Sequence, residues 1–254
     1  MRRYWIPKDQ IREAAGSITV NFSGDIFHHI FGVCRQEVGS KFEVLAGDQK
    51  AHFVEVIQVG KKSAEARVLE TRTIPSLKTP HIHLAISVPR FPVMEAVIEK
   101  AVEMGVVAIH PFFSEYSFVR SAAMVPESKI ERWQKIVVSA TQQSGRGELL
   151  NISPALSWTD LQNKFNQTPN KMGLFAYEGE GQKSIKNYLQ SRQTQKPQEI
   201  WLFVGSEGGF SQTEVQAFQQ MGLEAVTLGE QVLRVETACI ALVSVLKYEF
   251  DLMG

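Results

Sequence analysis

The sequence predicts a two-domain protein in which a small β-barrel precedes an α/β domain with a mainly parallel sheet. Three observations support this fold class. Residues 1–73 contain several short segments rich in β-branched and aromatic residues. Residues 74–80 include Pro75 and Pro80 and are typical of a linker. Residues 81–254 alternate strand-like with helix-like segments, which is the pattern of an α/β fold.

The barrel domain is predicted from three strand segments, two glycine-bearing turns and one short helix. The strand segments partly alternate apolar and polar residues, as half-buried strands do. Several short strands and one helix in so short a region are typical of a closed or half-closed barrel. The predicted strands are residues 41–45, 53–57 and 64–69, the turns are 47–49 and 60–62, and the helix is 25–33.

The α/β domain is predicted from buried strands that are followed by amphipathic helices. Gly105 and Gly145 stand where two of these helices are expected to end. The predicted strands are residues 82–88, 106–113, 172–177, 200–204 and 225–228, and the predicted helices are 94–105, 128–144, 211–221 and 237–252.

Composition narrows the class of protein. A hydrophobic fraction of 44% and a charged fraction of 21% exclude a disordered chain, a fibre and a coiled-coil rod. The 27 basic and 27 acidic residues balance, so only a local basic face would attract nucleic acid. We expect a cytoplasmic protein without a membrane span, because long apolar runs and a signal peptide are absent and Cys34 and Cys239 lie far apart.

The most informative segment runs from Val204 to Glu214. A predicted strand ends there, a glycine-rich loop follows, and Ser211 with Glu214 forms a capping box for the next helix. Ligands bind at the carboxyl ends of strands in open α/β sheets, and glycine lets the backbone approach them closely. Taken alone, the loop is explained equally well as a tight turn before a capped helix.

Three common loop motifs are excluded. The loop lacks the lysine of a phosphate-binding P-loop, and its G-x-x-G-G spacing differs from the dinucleotide fingerprint. A nucleophile elbow needs a glycine two residues before its serine, but Val204 stands there before Ser206, and no histidine follows His110 to complete a catalytic triad.

Other segments hold polar residues at the ends of predicted strands or helices. Glu115 follows a predicted strand, so it projects from the same edge of the sheet. Arg234 and Glu236 precede the most apolar helix, where a helix-dipole contact for Glu236 and a solvated Arg234 are also possible. Polar residues also crowd the helix end at 139–147.

Four motifs in order resemble those of one family. They are G-S-E-G-G-F-S at 205–211, L-G-E-Q-V-L-R-V-E-T-A at 228–238, E-K-A-V-E-M-G-V at 99–106 and Q-S-G-R at 143–146. Together with Arg3 and residues 29–35, they resemble the small-subunit ribosomal RNA methyltransferase E family, the 16S rRNA uracil-N3 methyltransferases of the SPOUT class. The resemblance covers nearly the whole chain.

The resemblance implies a fold, a cofactor and partners. Residues 1–73 would form a PUA-like RNA-binding β-barrel, and residues 81–254 a SPOUT methyltransferase domain with a deep trefoil knot. S-adenosylmethionine would be the methyl donor, and 16S rRNA in the small ribosomal subunit the substrate. The enzyme would be a homodimer with each site at the subunit interface.

The resemblance and the strand-end positions together suggest site residues. Arg234 is expected to stabilise negative charge on the uracil carbonyls, and Glu115 or Glu236 to accept the N3 proton. The expected cofactor contacts are Gly205, Glu207, Gly208, Gly209, Leu228, Gly229, Leu233, Thr237 and Ala238. The expected RNA contacts are Arg3, Arg12, His29, Arg35, Lys100 and Arg146, with Arg2 and Lys41 as further basic candidates. No cysteine or carboxylate stands at ligand spacing from the histidine pairs, so we expect no metal.

The chain departs from the family pattern near the expected site. Arg90-Phe91-Pro92-Val93 replaces a Lys-Gly-Asp-Lys-like stretch, Tyr116 replaces an arginine, Ser206 replaces a proline, and Gln142 stands where the family often has Glu. These changes remove positive charge. Two alternatives therefore stay open: a SPOUT methyltransferase acting on a different RNA or a ribose hydroxyl, and a catalytically silent RNA-binding relative.

Overall fold

The computed structural model describes residues 1–14, 16–192 and 194–253. Contacts divide the chain into two compact units. The first unit comprises Met1–Ser76 with Val138–Leu149, and the second comprises Leu77–Val137 with Leu150–Gly254.

The first unit is built on a six-stranded sheet. Its strands are β1 (Arg3–Trp5), β2 (Ile11–Ala14), β3 (Ser17–Ser23), β4 (Lys41–Leu45), β5 (Lys50–Val59) and β6 (Ser63–Thr73). The spatial order is β1-β4-β5-β6-β3-β2, and only the β1–β4 pair is parallel. The predicted strands are confirmed. However, β5 and β6 extend beyond their predicted ends, because their ladder continues from Val59 paired with Ala64 to Lys50 paired with Thr73.

The core of the first unit follows the alternation of its strands. Along β5, Val54 and Val56 are buried while Glu55 between them is only partly covered. Phe22 and Phe42 are fully buried, with ring centroids 5.9 Å apart. The predicted helix is present as α1 (Gly24–Phe27), which continues as a wider π-helical turn over His28–Val33.

The second unit is built on a seven-stranded sheet. Its strands are β7 (His81–Ser87), β8 (Ala108–Phe112), β9 (Asn151–Ile152), β10 (Lys171–Ala176), β11 (Lys183–Ser184), β12 (Glu199–Val204) and β13 (Glu224–Thr227). The order is β11-β13-β10-β12-β7-β8-β9, and every pair is parallel. The prediction of a mainly parallel sheet is confirmed.

The helices follow the predicted pattern with two additions. They are α2 (Phe91–Glu103), α3 (Glu127–Ser144), α4 (Trp158–Gln167), α5 (Ile185–Gln190), α6 (Gln212–Gln220) and α7 (Val235–Glu249). The sequence did not predict α4 or α5. In α4, Trp158, Leu161 and Phe165 stand at helical spacing and pack into the core, but polar residues fill the rest of the helix, so its apolar face is narrow. No helix in the described ranges is long and apolar enough to cross a membrane.

A largely buried polar cluster lies on the sheet of the second unit, and we call His83, His110 and Glu199 the histidine cluster. His83 Nδ1 lies 3.0 Å from His110 Nε2, and His83 Nε2 lies 2.7 Å from a carboxylate oxygen of Glu199. Both imidazole rings stack on Trp201, with centroids 4.8 and 4.6 Å from it. Burial lowers the pKa of His83 and lowers the pKa of His110 to about 3, so both are neutral at physiological pH.

The sheet order decides which loops are neighbours. β12 lies between β10 and β7, and all three strands run in the same direction. The loops that follow them therefore emerge side by side at the carboxyl edge of the sheet, where α/β folds bind ligands.

Candidate functional site

A cavity of about 710 Å³ opens at this carboxyl edge. Four segments enclose it: the loop after β12, the loop after β10, the segment that leads into α7, and the start of α2 after β7. The lining residues are Arg90, Val93, Ala176, Tyr177, Glu178, Gly179, Val204, Gly205, Ser206, Glu207, Gly208, Gly209, Phe210, Val232, Leu233, Arg234, Val235, Glu236 and Ala238. A volume of this size is typical of small-molecule sites.

The glycine-rich loop after β12 folds as a tight turn. The N–H of Gly209 donates to the carbonyl of Ser206 over 2.9 Å, and Gly209 has a φ of +68°. A Cβ on Gly205 would lie 2.8 Å from the Cα of Gly209, which is too close for any other residue. The two backbone segments at Gly205 and Gly209 pass so close together that only glycine fits. These glycines leave that part of the cavity wall without side chains.

The predicted capping box after this loop is confirmed. Ser211 Oγ accepts from the N–H of Glu214 over 3.3 Å, and the Glu214 carboxylate accepts from the N–H of Ser211 over 2.9 Å. The second oxygen of Glu214 accepts from the backbone N–H of Glu115 over 2.8 Å. Thus the backbone of Glu115 is anchored beside the loop, while its side chain is exposed and does not line the cavity.

Arg234 and Glu236 lie where α7 begins. The helix starts at Val235, two residues earlier than predicted, so Arg234 is its N-cap residue and Glu236 is in its first turn. Both side chains line the cavity. Arg234 is exposed and makes no side-chain ion pair within the described residues. A guanidinium with free hydrogen-bond donors therefore faces the same cavity as a carboxylate.

The expected cofactor contacts divide into two groups. Gly205, Glu207, Gly208, Gly209, Leu233 and Ala238 line the cavity, whereas Leu228, Gly229 and Thr237 do not. Gly229 is held in a local turn, because its N–H donates to Thr227 Oγ1 over 3.2 Å and the Thr227 hydroxyl donates to its carbonyl over 2.8 Å.

Two parts of the lining were not predicted. The Glu178 carboxylate accepts from the N–H of Leu233 over 3.3 Å, which joins the loop after β10 to the segment before α7. The backbone N–H of Arg90 donates to the Glu207 carboxylate over 3.1 Å. The sequence did carry a signal for the first part, since Tyr177-Glu178-Gly179 ends a predicted strand.

Three expected RNA contacts have protein partners. Arg3 donates to the Glu43 carboxylate over 2.8 Å and to the carbonyl of Gln143 over 3.2 Å. Lys100 pairs with Glu99 and Glu103 on the surface of α2, where such pairs add little stability. Arg146 has a side chain only 6% exposed, 3.8 Å from Glu148, and burial lowers the pKa of its guanidinium. This leaves Arg146 little surface to offer to a phosphate.

The other expected RNA contacts are open to solvent. Arg12, His29 and Arg35 are all exposed in the first unit. His29 Nε2 lies 3.7 Å from Cys34 Sγ. Among the residues that the structure describes, no group of three or more histidine, cysteine or acidic side chains is arranged to hold a metal ion.

The chain matches known protein families over most of its length. A family profile described as RNA methyltransferase domain matches residues 76–247, and one described as RNA methyltransferase PUA domain matches residues 22–69. A ribosomal RNA small subunit methyltransferase E of Buchnera aphidicola is 30% identical over 239 residues, which cover 91% of each chain. The chain belongs to the ribosomal RNA small subunit methyltransferase E family. The predicted family resemblance is therefore confirmed.

Other members of the methyltransferase E family are similar to this chain over nearly its whole length. The Bacillus subtilis protein is 28% identical over 100% of this chain and 98% of its own. The crystal structure of the Neisseria gonorrhoeae enzyme bound to S-adenosyl methionine superposes with a TM-score of 0.82 at 28% identity, covering 98% of this chain and 97% of that one.

Proposed function

We propose that this protein transfers a methyl group from S-adenosylmethionine to N3 of a uridine in the 16S rRNA of the small ribosomal subunit. The observation that carries the proposal is the glycine-walled cavity, which holds Arg234 and Glu236 in a chain of the methyltransferase E family. The relative from Neisseria gonorrhoeae binds S-adenosyl methionine and supports the choice of cofactor. We also propose a cytoplasmic location, because ribosomal RNA is the proposed substrate.

The residues of the cavity fit S-adenosylmethionine. The volume of about 710 Å³ suits a ligand of this size, and the tight turn at Gly205–Gly209 leaves backbone groups open for adenine and ribose. Leu233 and Val204 supply apolar surface, while Glu178 and Glu207 supply carboxylates for hydroxyl and amino groups. The proposed cofactor contacts remain Gly205, Glu207, Gly208, Gly209, Leu228, Gly229, Leu233, Thr237 and Ala238. When bound, the cofactor supplies an electrophilic methyl group on a sulfonium.

The protein's own residues must prepare the uracil ring. N3 is a poor nucleophile while protonated, so the site has to favour the N3 anion. Arg234 would stabilise the negative charge that this anion places on the uracil carbonyls. We assign the proton to Glu236, because it lines the cavity, whereas Glu115 does not. Alignment of the uracil ring within the enclosed cavity would supply much of the remaining acceleration.

The proposal includes a homodimer and a knotted chain. Val232 lines the cavity but is 77% exposed, so a partner subunit has an apolar side chain to cover at the cavity mouth. A deep trefoil knot would run through the segments that enclose the cavity, as the SPOUT class implies. Light scattering coupled to gel filtration tests the dimer, and a monomeric, fully active enzyme would contradict it.

RNA contacts in the first unit are proposed to add affinity. Arg12, His29 and Arg35 are exposed, and contacts to phosphate would make binding depend on salt. Arg3, Lys100 and Arg146 have protein partners, so we propose that they contribute through the surfaces they hold in place.

The test is methyl transfer from labelled S-adenosylmethionine to small subunits from cells that lack this modification, followed by mass spectrometry of the nucleosides. 3-Methyluridine is the expected product. A methylated ribose, or methylation of another RNA only, would favour the second hypothesis. Absence of cofactor binding by calorimetry would favour a catalytically silent relative.

A further inference from the structure

The segment after Glu115 presents a row of exposed side chains beside the cavity. Exposure alternates along it: Tyr116 is 46% and Phe118 51% exposed, and Arg120 is also exposed, whereas Ser117 and Val119 are buried. Two large aromatic rings and a guanidinium therefore face solvent together. We call Tyr116, Phe118 and Arg120 the aromatic row.

Hydrogen bonds to buried groups hold the backbone of the aromatic row in place. Ser117 Oγ lies 2.9 Å from Ser87 Oγ and accepts from the N–H of Ser114 over 2.7 Å. The N–H of Phe118 donates to the carbonyl of Val88 over 2.8 Å. These buried bonds fix the backbone to the ends of β7 and β8, so the exposed rings are carried on a rigid support.

The aromatic row begins at the rim of the cavity. Ser206 Oγ donates to the carbonyl of Tyr116 over 2.6 Å, and a Cβ on Gly208 would lie 2.8 Å from the Cβ of Tyr116. Both Ser206 and Gly208 line the cavity. The ring of Phe118 meets the edge of Phe91 at a centroid distance of 5.5 Å. Hence the aromatic surface is continuous with the site proposed to hold the target uridine.

The charge on this surface suits a polyanion. Arg120, and Arg90 next to Phe91 in sequence, make no side-chain ion pair in the described part of the chain, whereas Arg132 is paired with Glu95 over 2.7 Å. Aromatic faces bind unpaired bases by stacking, and free guanidinium groups bind phosphates. Methylation at N3 requires an unpaired or flipped uridine, so its neighbours must also be accommodated outside a regular helix.

We propose that the aromatic row binds the unpaired nucleotides that flank the target uridine. Tyr116 and Phe118 would stack on bases, and Arg120 would contact phosphate. The family pattern has an arginine at position 116, which could bind RNA through its charge. In this chain, Tyr116 would bind RNA by stacking instead. This inference rests on the proposed function, because it assigns the RNA path of the same site.

The first experiment compares steady-state kinetics on undermethylated small subunits. Phe118→Ala and Tyr116→Ala should each raise KM for the subunit about tenfold, which corresponds to loss of one stacked base, and change kcat less than about twofold. Two matched variants separate stacking from packing. Tyr116→Phe keeps the ring and should behave as wild type, whereas Phe118→Leu keeps apolar volume without the π face and should behave as Phe118→Ala.

The second experiment measures binding without catalysis, using anisotropy of a short fluorescein-labelled oligouridine over a range of salt concentrations. Phe118→Ala should weaken binding about tenfold without changing the salt slope. Arg120→Ala should lower the slope by about 0.7, the value for one phosphate contact on a single strand. Cofactor affinity by calorimetry should stay unchanged in Phe118→Ala.

The outcomes distinguish this inference from the proposed function. Wild-type KM in Phe118→Ala and Tyr116→Ala, together with unchanged oligouridine binding in Phe118→Ala, would overturn the aromatic row and leave the function intact. A change of oligomeric state in these variants, with RNA binding intact, would also overturn it and assign the surface to a protein partner. A wild-type protein that methylates no RNA would refute the proposed function. The oligouridine binding of the variants would still show whether the aromatic row binds RNA.

Discussion

Two polar regions of the second unit, the histidine cluster and the cavity, use their polar side chains in opposite ways. His83 lies within hydrogen-bond distance of His110 and Glu199, and burial keeps both imidazoles neutral. At the cavity, Arg234 is exposed and free of ion pairs within the described residues. Buried polar groups must be satisfied by their neighbours, whereas an exposed unpaired group keeps its bonding capacity for a ligand. We therefore expect the first region to govern stability and the second to govern activity.

Arg234→Ala should show the largest effect and tests the cavity side of this comparison. Loss of a donor to the uracil carbonyls should lower kcat by about 10²–10³-fold, while the free energy of unfolding changes by less than about 0.5 kcal/mol. Labelled methyl transfer and urea unfolding measure the two quantities. Arg234→Lys is the control that keeps a positive charge. Normal turnover of Arg234→Ala with cofactor and subunit bound would contradict the assigned role.

A fall in pH tests the histidine cluster, which is the buried region of this comparison. The pKa of His110 is about 3 in the folded protein and about 6.5 when unfolded, so the unfolded chain binds more protons between these values. Stability should therefore fall as the pH drops below about 6.5, by about 2 kcal/mol between pH 7 and pH 5. The lowered pKa of His83 acts in the same direction.

Urea unfolding at the two pH values measures this loss. His110→Asn removes the titrating group, so the variant should be less stable at pH 7 but less sensitive to acid. An equal loss of stability in wild type and His110→Asn would show that other groups cause the acid sensitivity.

Ser211→Ala should have an intermediate effect, because Ser211 joins the glycine-rich loop to α6. Loss of the capping hydrogen bond should reduce the free energy of unfolding by about 1 kcal/mol. Ser211→Thr keeps a hydroxyl and should recover most of that stability. Thermal unfolding provides the measurement, and equal melting temperatures for wild type and Ser211→Ala would exclude a stabilising cap.

Arg67→Ala should have the smallest effect and marks the limit of the comparison. Arg67 pairs with Glu55 on the surface of the first unit, and its side chain is 61% exposed. Solvent screens such pairs, so we expect no measurable change in melting temperature. A clear loss would show that exposed pairs in this unit contribute more than exposure suggests.

Much of the fold was predictable from local pattern, while parts of the site were not. Apolar periodicity and the Ser211–Glu214 spacing predicted α6 and its cap, and the glycines predicted the tight turn before it. α4 escaped prediction although the spacing of Trp158, Leu161 and Phe165 and the Ser157 cap are local signals, because only three of its ten residues are apolar. Glu178 was missed although it directly follows a predicted strand, because its bond to Leu233 joins residues far apart in sequence.

The sequence by itself determined most of the elements, the cap of α6 and the family, since periodicity, capping and glycine requirements act over a few residues. Only the tertiary structure decided that β12 lies between β10 and β7, and hence which loops share a cavity. It also decided which charges are free: Arg146 is buried beside Glu148, whereas Arg120 is open to solvent. Strand order, burial and ion pairing depend on contacts between distant segments, which local sequence patterns do not encode.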